Sequence, residues 1–139
     1  MSGYLLDTNV ISELTRDVPD RSVVNFLSEN DDVWLPSVLI HEVEYGLRLL
    51  PQGRRRSRLA EMQSSILRTF EDRILPLDRA GAEWSAEFRA QARLTGRTID
   101  LGDVLIAGTA KANGLVVATR NVLHFDGLDV NVYNPWNYS

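Results

Sequence analysis

Short apolar runs separated by long helical stretches constrain this chain more than any other feature. The runs are Tyr4-Leu5-Leu6, Val33-Trp34-Leu35, Ile74-Leu75, Leu115-Val116-Val117-Ala118 and Val130-Asn131-Val132. Antiparallel neighbours can be joined by a tight turn, whereas parallel strands need a crossover long enough for a helix. Most gaps here are of crossover length, and apolar residues within them recur at helical period. The pattern predicts an α/β protein with a mostly parallel sheet. In such a sheet, ligands bind beyond the carboxyl ends of the strands, near the point where strand order reverses. Residues just past each run are therefore the ones to weigh for chemistry.

Caps and breakers set the helices. Asp7-Thr8-Asn9 leaves the first strand and caps a helix carrying Val10, Ile11 and Leu14. A second helix is expected from Arg21 to Ser28, with Val23, Val24 and Leu27 inward. Pro36 ends the next strand, and Ser37 is the expected N-cap of a helix whose one face holds Leu39, Val43, Leu47 and Leu50. Pro51-Gln52-Gly53 breaks it. The following helix, Arg54 to Glu71, puts Leu59, Met62, Ile66 and Phe70 on a stripe. Helices from Ala80 to Leu94 and from Leu101 to Asn113 stop at Gly96 and Gly114, as left-handed caps would have it. No repeat, low-complexity stretch or linker divides the chain, so residues 1–139 read as one domain.

Acidic residues stand at the positions the topology singles out. Asp7 follows the first strand, Glu42 lies in the second turn of the helix after the second, and Asp100 and Asp103 open the helix that leads to Leu115. Thr119, Arg120 and Asn121 follow that last strand. Several carboxylates cannot gather at one sheet edge without a counter-charge, because like charges raise each other's pKa. A divalent cation supplies it, and hard oxygen donors without cysteine select Mg²⁺ or Mn²⁺ over zinc. Each residue also has a plainer explanation. Asp7 can cap a helix, Glu42 beside Glu44 can solvate a surface, Asp100 and Asp103 can form a capping box, and Asn121 can cap the turn through His124. Against the plain account of Glu42 is its place between Leu39 and Val43, on or near the apolar stripe.

Composition removes other classes. The chain has no cysteine, so disulfides, thiolate zinc sites and thiol nucleophiles are excluded, and a reducing compartment is consistent. His41 and His124 are its only histidines, and neither a serine elbow nor a phosphate-binding glycine loop occurs. A receiver-like phosphoacceptor domain would want a lysine after a late strand, yet Lys111 falls within a helix. Met1-Ser2-Gly3 lacks a basic leader segment, and no apolar run approaches the ~18–20 residues of a membrane span, so a cytoplasmic protein is expected. The net charge of −4 argues against coating nucleic acid non-specifically. A local patch survives that argument, because 14 of the 15 basic residues are arginine and four crowd into Arg54-Arg55-Arg56-Ser57-Arg58. As an exposed charge run, that cluster can also be simply a solvated face.

Leu5-Leu6-Asp7-Thr8-Asn9-Val10-Ile11-Ser12-Glu13 resembles the opening motif of PIN-domain ribonucleases, in particular the VapC toxins and their FitB-type relatives. Ser37 to Gly46, with Glu42 in the helix, resembles the second motif, and Ile74 to Asp78 the segment joining the halves. Asp103 to Ala110 is similar to the third motif, Ala118 to Phe125 to the fourth, and Asn134-Pro135-Trp136 to the FitB-type ending. Four motifs in order, over essentially the whole chain, make the resemblance specific.

The resemblance implies a PIN-like three-layer sandwich with a central, mostly parallel sheet of four to five strands. It implies Mg²⁺- or Mn²⁺-dependent cleavage of RNA, with folded tRNA the family-based substrate. Asp7, Glu42 and Asp103 match the metal-binding acids, Asn9 would orient Asp7, Thr119 would support the site, and Asp100 is secondary. Asn121 departs from the aspartate many members carry, which leaves one metal ion rather than two as the expectation. The implied partners are a VapB-like antitoxin and a second copy of the chain; the stripe at Leu47, Leu59, Met62 and Ile66 is a candidate surface for either contact, with ordinary core packing as the plainer account of each residue. A toxin–antitoxin hetero-oligomer bound to operator DNA through the antitoxin is a further possibility, and no membrane is involved. Two readings stay open: a toxin-type endoribonuclease, and a PIN-like module that binds RNA or a partner without cutting.

Overall fold

The computed structural model describes residues 3–139, so Met1 and Ser2, part of the stretch weighed above for a leader segment, lie outside the described residues. Its elements run β1 (Tyr4–Leu6), α1 (Thr8–Leu14), α2 (Arg21–Glu29), β2 (Val33–Pro36), α3 (Ser37–Leu49), α4 (Arg54–Thr69), β3 (Ile74–Leu75), α5 (Arg79–Leu94), α6 (Leu101–Asn113), β4 (Val116–Ala118) and β5 (Val132–Tyr133). The strands form one parallel sheet in the order β3-β2-β1-β4-β5. Leu6 of β1 lies opposite Ala118 of β4, which lies opposite Tyr133 of β5. Among the described residues no helix is long and apolar enough to cross a membrane.

The period-two alternation of a strand sorts its side chains onto two faces. Leu6, Val33, Leu35 and Ala118 pack with α1, α2 and α3 residues, including Val10, Ile11, Val23, Phe26, Leu39 and Val43. Leu5 and Val117 point the other way, against Phe88 of α5 and Val104, Ile106, Ala107 and Ala110 of α6. The result is the expected three-layer sandwich. The α5–α6 pair is unusually close at Gly108, which presses on Gly81 and Ser85, where a Cβ would collide with the Ser85 Oγ. That contact fixes α6, and with it the residues at its amino end, against the rest of the layer.

Several local expectations are corrected. Ser37 is the first residue of α3, not its cap: Pro36 holds the cap position, and the Ser37 hydroxyl accepts from the Leu77 amide at 3.2 Å. In α2 it is Phe26 that is buried with Val23, while Val24 is 42% exposed, because the buried arc follows i, i+3. Helix α4 ends at Thr69, and buried Phe70 turns the chain through a short 3₁₀ segment, Glu71–Arg73, into β3. The last strand starts later than expected, because the Val130 amide turns back to the Leu128 carbonyl at 2.8 Å and pairing with β4 begins at the Asn131 carbonyl. Gly114 takes the left-handed conformation as the cap of α6, with φ 65°.

Candidate active site at the strand-order reversal

From β1 the chain builds outward through β2 and β3, then returns to β1's other edge for β4 and β5. The carboxyl ends of β1 and β4 therefore flank the reversal, and Asp7 and Thr119 are the residues that leave those ends. Asp7 is only 4% exposed. Its Oδ1 accepts from the Thr8 amide at 2.7 Å, and its Oδ2 accepts from the Thr119 hydroxyl at 2.8 Å. Wholly buried Thr119 also accepts from the Asn9 side-chain amide at 3.1 Å and from the Asn121 backbone amide at 3.0 Å. The Asn9 carbonyl oxygen in turn accepts from the Arg120 amide at 3.4 Å. Asn9 thus reaches Asp7 through Thr119 rather than directly. Burial raises the Asp7 carboxyl above the ordinary carboxylate range, against the opposing pull of the Thr119 and Thr8 hydrogen bonds.

Helices α3 and α6 bring the remaining acids. Glu42, half-buried, accepts from the Thr8 hydroxyl at 2.7 Å, so Thr8 binds Asp7 through its backbone and Glu42 through its side chain. Asp100 caps α6 by accepting from the Asp103 amide at 3.3 Å. Asp103 makes no reciprocal capping bond; its Oδ2 lies 3.0 Å from Nδ1 of His124. Burial first, then the charges of Asp7 and Asp100, push the Asp103 carboxyl up to about 6, with His124 pulling the other way. A depression of about 240 Å³ opens here, lined in part by Arg97, Asp100, Asp103, Leu123 and His124. Asn121 sits exposed at its edge of the loop after β4, and its side chain makes no cap bond to the turn it precedes.

Three residues at the site escaped the sequence reading. Thr8 stands inside the opening motif but signals only a cap. Gly102 is visible as a poor helix former in a first turn; a Cβ there would stand 2.7 Å from Glu42 Oε2 and 3.1 Å from Asp100 Oδ2. His124 looked like a turn residue, and only the fold places it on Asp103.

The acids do not stand as a closed cage: among the described residues no three His, Cys, Asp or Glu side chains are grouped at metal-ligating separation. Their chemistry nonetheless fits a small hard cation. The donors are carboxylate oxygens, Gly102 leaves space bare between two of them, and two carboxyls are raised by burial and repulsion that a cation would relieve. The basic run lies elsewhere. Arg54, Arg55 and Arg58 line a groove of about 660 Å³ with Leu59 and Met62. Leu47, expected on the same contact surface, is buried in the core instead.

The PIN domain model matches residues 4–126. Toxin FitB of Neisseria gonorrhoeae is 42% identical over 136 residues, covering 96% of this chain and 98% of the relative. VapC ribonuclease Y4jK of Sinorhizobium fredii is 35% identical over 135 residues, covering 95% and 96% respectively. The structure of FitAB bound to an IR36 DNA fragment superposes with a TM-score of 0.87 at 41% identity, covering 98% of this chain and 97% of the other. The matched span holds every acid described above, from Asp7 behind β1 to Asp103 on α6, together with Thr119 and His124, and on that footing this chain belongs to the PIN domain family.

Proposed function

We propose that this chain is an endoribonuclease that depends on Mg²⁺ or Mn²⁺, the toxin of a type II, VapBC-like toxin–antitoxin pair. The observation that carries this reading is the crowding of raised carboxyls, Asp7 and Asp103, at the reversal point of a parallel sheet. The likeness to FitB and to a VapC ribonuclease supplies the substrate class.

Asp7, Glu42 and Asp103 are the proposed holders of the metal, with Asp100 secondary. When bound, the ion supplies positive charge to the phosphodiester and lowers the pKa of the attacking water. Thr8 and Thr119 each take one hydrogen bond on a different Asp7 oxygen, leaving further lone pairs on both for the ion. Thr8 ties Glu42 to the same turn, and Asn9 holds the Thr119 hydroxyl. His124 fixes one oxygen of Asp103. Asn121 offers an amide oxygen without charge, so one ion is assigned to the protein's own donors.

The proposed partners are a VapB-like antitoxin, through which the complex would bind operator DNA, and a second copy of this chain; the similar FitAB complex is bound to an IR36 DNA fragment. Leu59, Met62 and Ile66 stay half-exposed on α4, as a contact stripe requires. The proposed compartment is the cytoplasm, and tRNA is the substrate to test first. Protein of this sequence, purified free of antitoxin, is incubated with total RNA and Mg²⁺ or Mn²⁺, beside Asp7→Asn. Cleavage that chelator abolishes and Asp7→Asn slows at least ~100-fold is expected. If no RNA is cut with either metal, the chain is instead a module that binds RNA or a partner without cutting.

A further inference from the structure

A guanidinium stands beside the acidic edge with no carboxylate partner among the described residues. Arg120 follows Thr119 directly, and its backbone amide is held by Asn9. Its Cζ lies 5.2 Å from the centroid of the Trp136 ring. Trp136 comes just after β5, at the same carboxyl edge of the sheet, because β4 and β5 are parallel neighbours. The ring is itself held: the Trp136 amide donates to Asn134 Oδ1 at 2.9 Å, Pro135 beside it is buried, and the indole packs on the core.

Arg16, Arg48, Arg58 and Arg79 have a carboxylate within 4.0 Å and the other arginines of the described residues do not; Arg120 is set apart from these by its place beside Thr119 and its stacking on an indole. Arg120 has no carboxylate within 4.0 Å among the described residues and makes no side-chain hydrogen bond, although its neighbour Thr119 is bonded to Asp7. Stacking on an indole stabilises the cation without using its N–H groups, so the donor fork stays available to an anion. An RNA strand approaching a cluster of carboxylates on a protein of net charge −4 needs such a contact beside the cut. The side chain is also already restrained, which lowers the ordering cost of binding.

We propose that Arg120, presented by Trp136, binds a phosphodiester of the RNA flanking the one that is cut. The contact rests on the endoribonuclease reading above but is read out by binding. In an Asp7→Asn background, so that RNA stays intact, a fluorescein-labelled single-stranded RNA of mixed sequence is titrated in Mg²⁺ at several salt concentrations. Arg120→Ala is expected to weaken binding about 3- to 10-fold and to flatten the log–log salt dependence by ~0.7, the loss of one phosphate contact. Arg120→Lys keeps the salt dependence but binds more weakly, and Trp136→Phe falls between parent and Arg120→Ala. If Arg120→Ala lowers the melting temperature yet leaves affinity and salt dependence at the parent's values, the pair only clasps the residues after β5, and the inference is overturned. If the parent itself binds no RNA and the wild type cuts none, the ribonuclease reading fails with it. Cleavage by the wild type with unaltered binding by Arg120→Ala sinks this contact alone.

Discussion

Asp7 and Asp103 are both carboxyls raised by burial, yet the molecule secures them differently. Asp7 sits at a strand end, and its partner Thr119 gathers Asp7, Asn9 and the Asn121 amide on one hydroxyl. The Thr119–Asp7 bond is buried, the Asn121 amide is backbone, and the Asn9 amide closes the group from a part-buried side chain. Asp103, Glu42 and Asp100 ride on helix turns: Asp103 meets a histidine 55% exposed, Gly102 leaves a gap between Glu42 and Asp100, and Asp100 and Asp103 face an open depression. The strand-borne half is fixed before any ligand arrives. The helix-borne half holds its charges apart and has room to close. A site with one rigid and one adjustable half can admit a charged polymer and still present a set oxygen to the ion.

The contrast breaks most visibly at Thr119. Thr119→Val strips Asp7 Oδ2, the Asn9 amide and the Asn121 amide of a buried partner together, and should cost about 2–3 kcal/mol and lower the melting temperature by about 10 °C. RNA cleavage should fall with it by ~100-fold. A melting temperature within about 2 °C of wild type would show that the strand-borne half is not rigid in the sense argued.

Gly102→Ala tests the other half. The new methyl meets the Glu42 carboxylate held by Thr8 and crowds the Asp100 carboxylate that caps α6, so the melting temperature should fall by only about 2–4 °C. Displacing Glu42 should still slow cleavage ~10-fold or more. Loss of stability with activity intact would reverse the assignment.

Asp103 provides the pH test. Its folded pKa, about 6, lies above the ordinary 3.8, so the favourable protonated form is fully present below pH 4 and is lost as pH rises through 6. The metal-free protein should therefore lose stability across that window. Asp103→Asn should flatten the loss and exceed wild type by about 1–2 kcal/mol at pH 7, measured by urea unfolding in chelator. Added Mg²⁺ should raise the wild-type melting temperature above pH 6 and do little at pH 5, because the ion must displace the proton. The smallest effect is expected at exposed Asn121: Asn121→Asp should tighten Mn²⁺ binding about 2-fold with no change in melting.

The layered fold was legible because apolar runs at crossover spacing admit few topologies, and the caps at Asp7, Asp100 and Gly114 mark helix ends that the structure keeps. Asp7, Glu42 and Asp103 could be proposed because each stands near a strand end at a position matching a PIN motif. What stayed hidden depends on contacts between distant segments. Nothing in the order of residues says that His124 swings onto Asp103 or that Thr119 stands between Asn9 and Asp7. Boundaries failed for a related reason: Val130 has a strand former's side chain, but its amide is claimed by the turn at Leu128.

Thr119 bonds to a residue 112 positions before it. During synthesis at about 5–20 residues per second, β1, β2 and β3 and the first four helices are made seconds before the strand that completes the sheet between β1 and β5. A ribosome halfway through this message carries Asp7 and Glu42 but no edge for them to share with Asp103. The site at the reversal is therefore completed late, and a chain ended before Thr119 lacks the hydroxyl on which Asp7 and Asn9 meet.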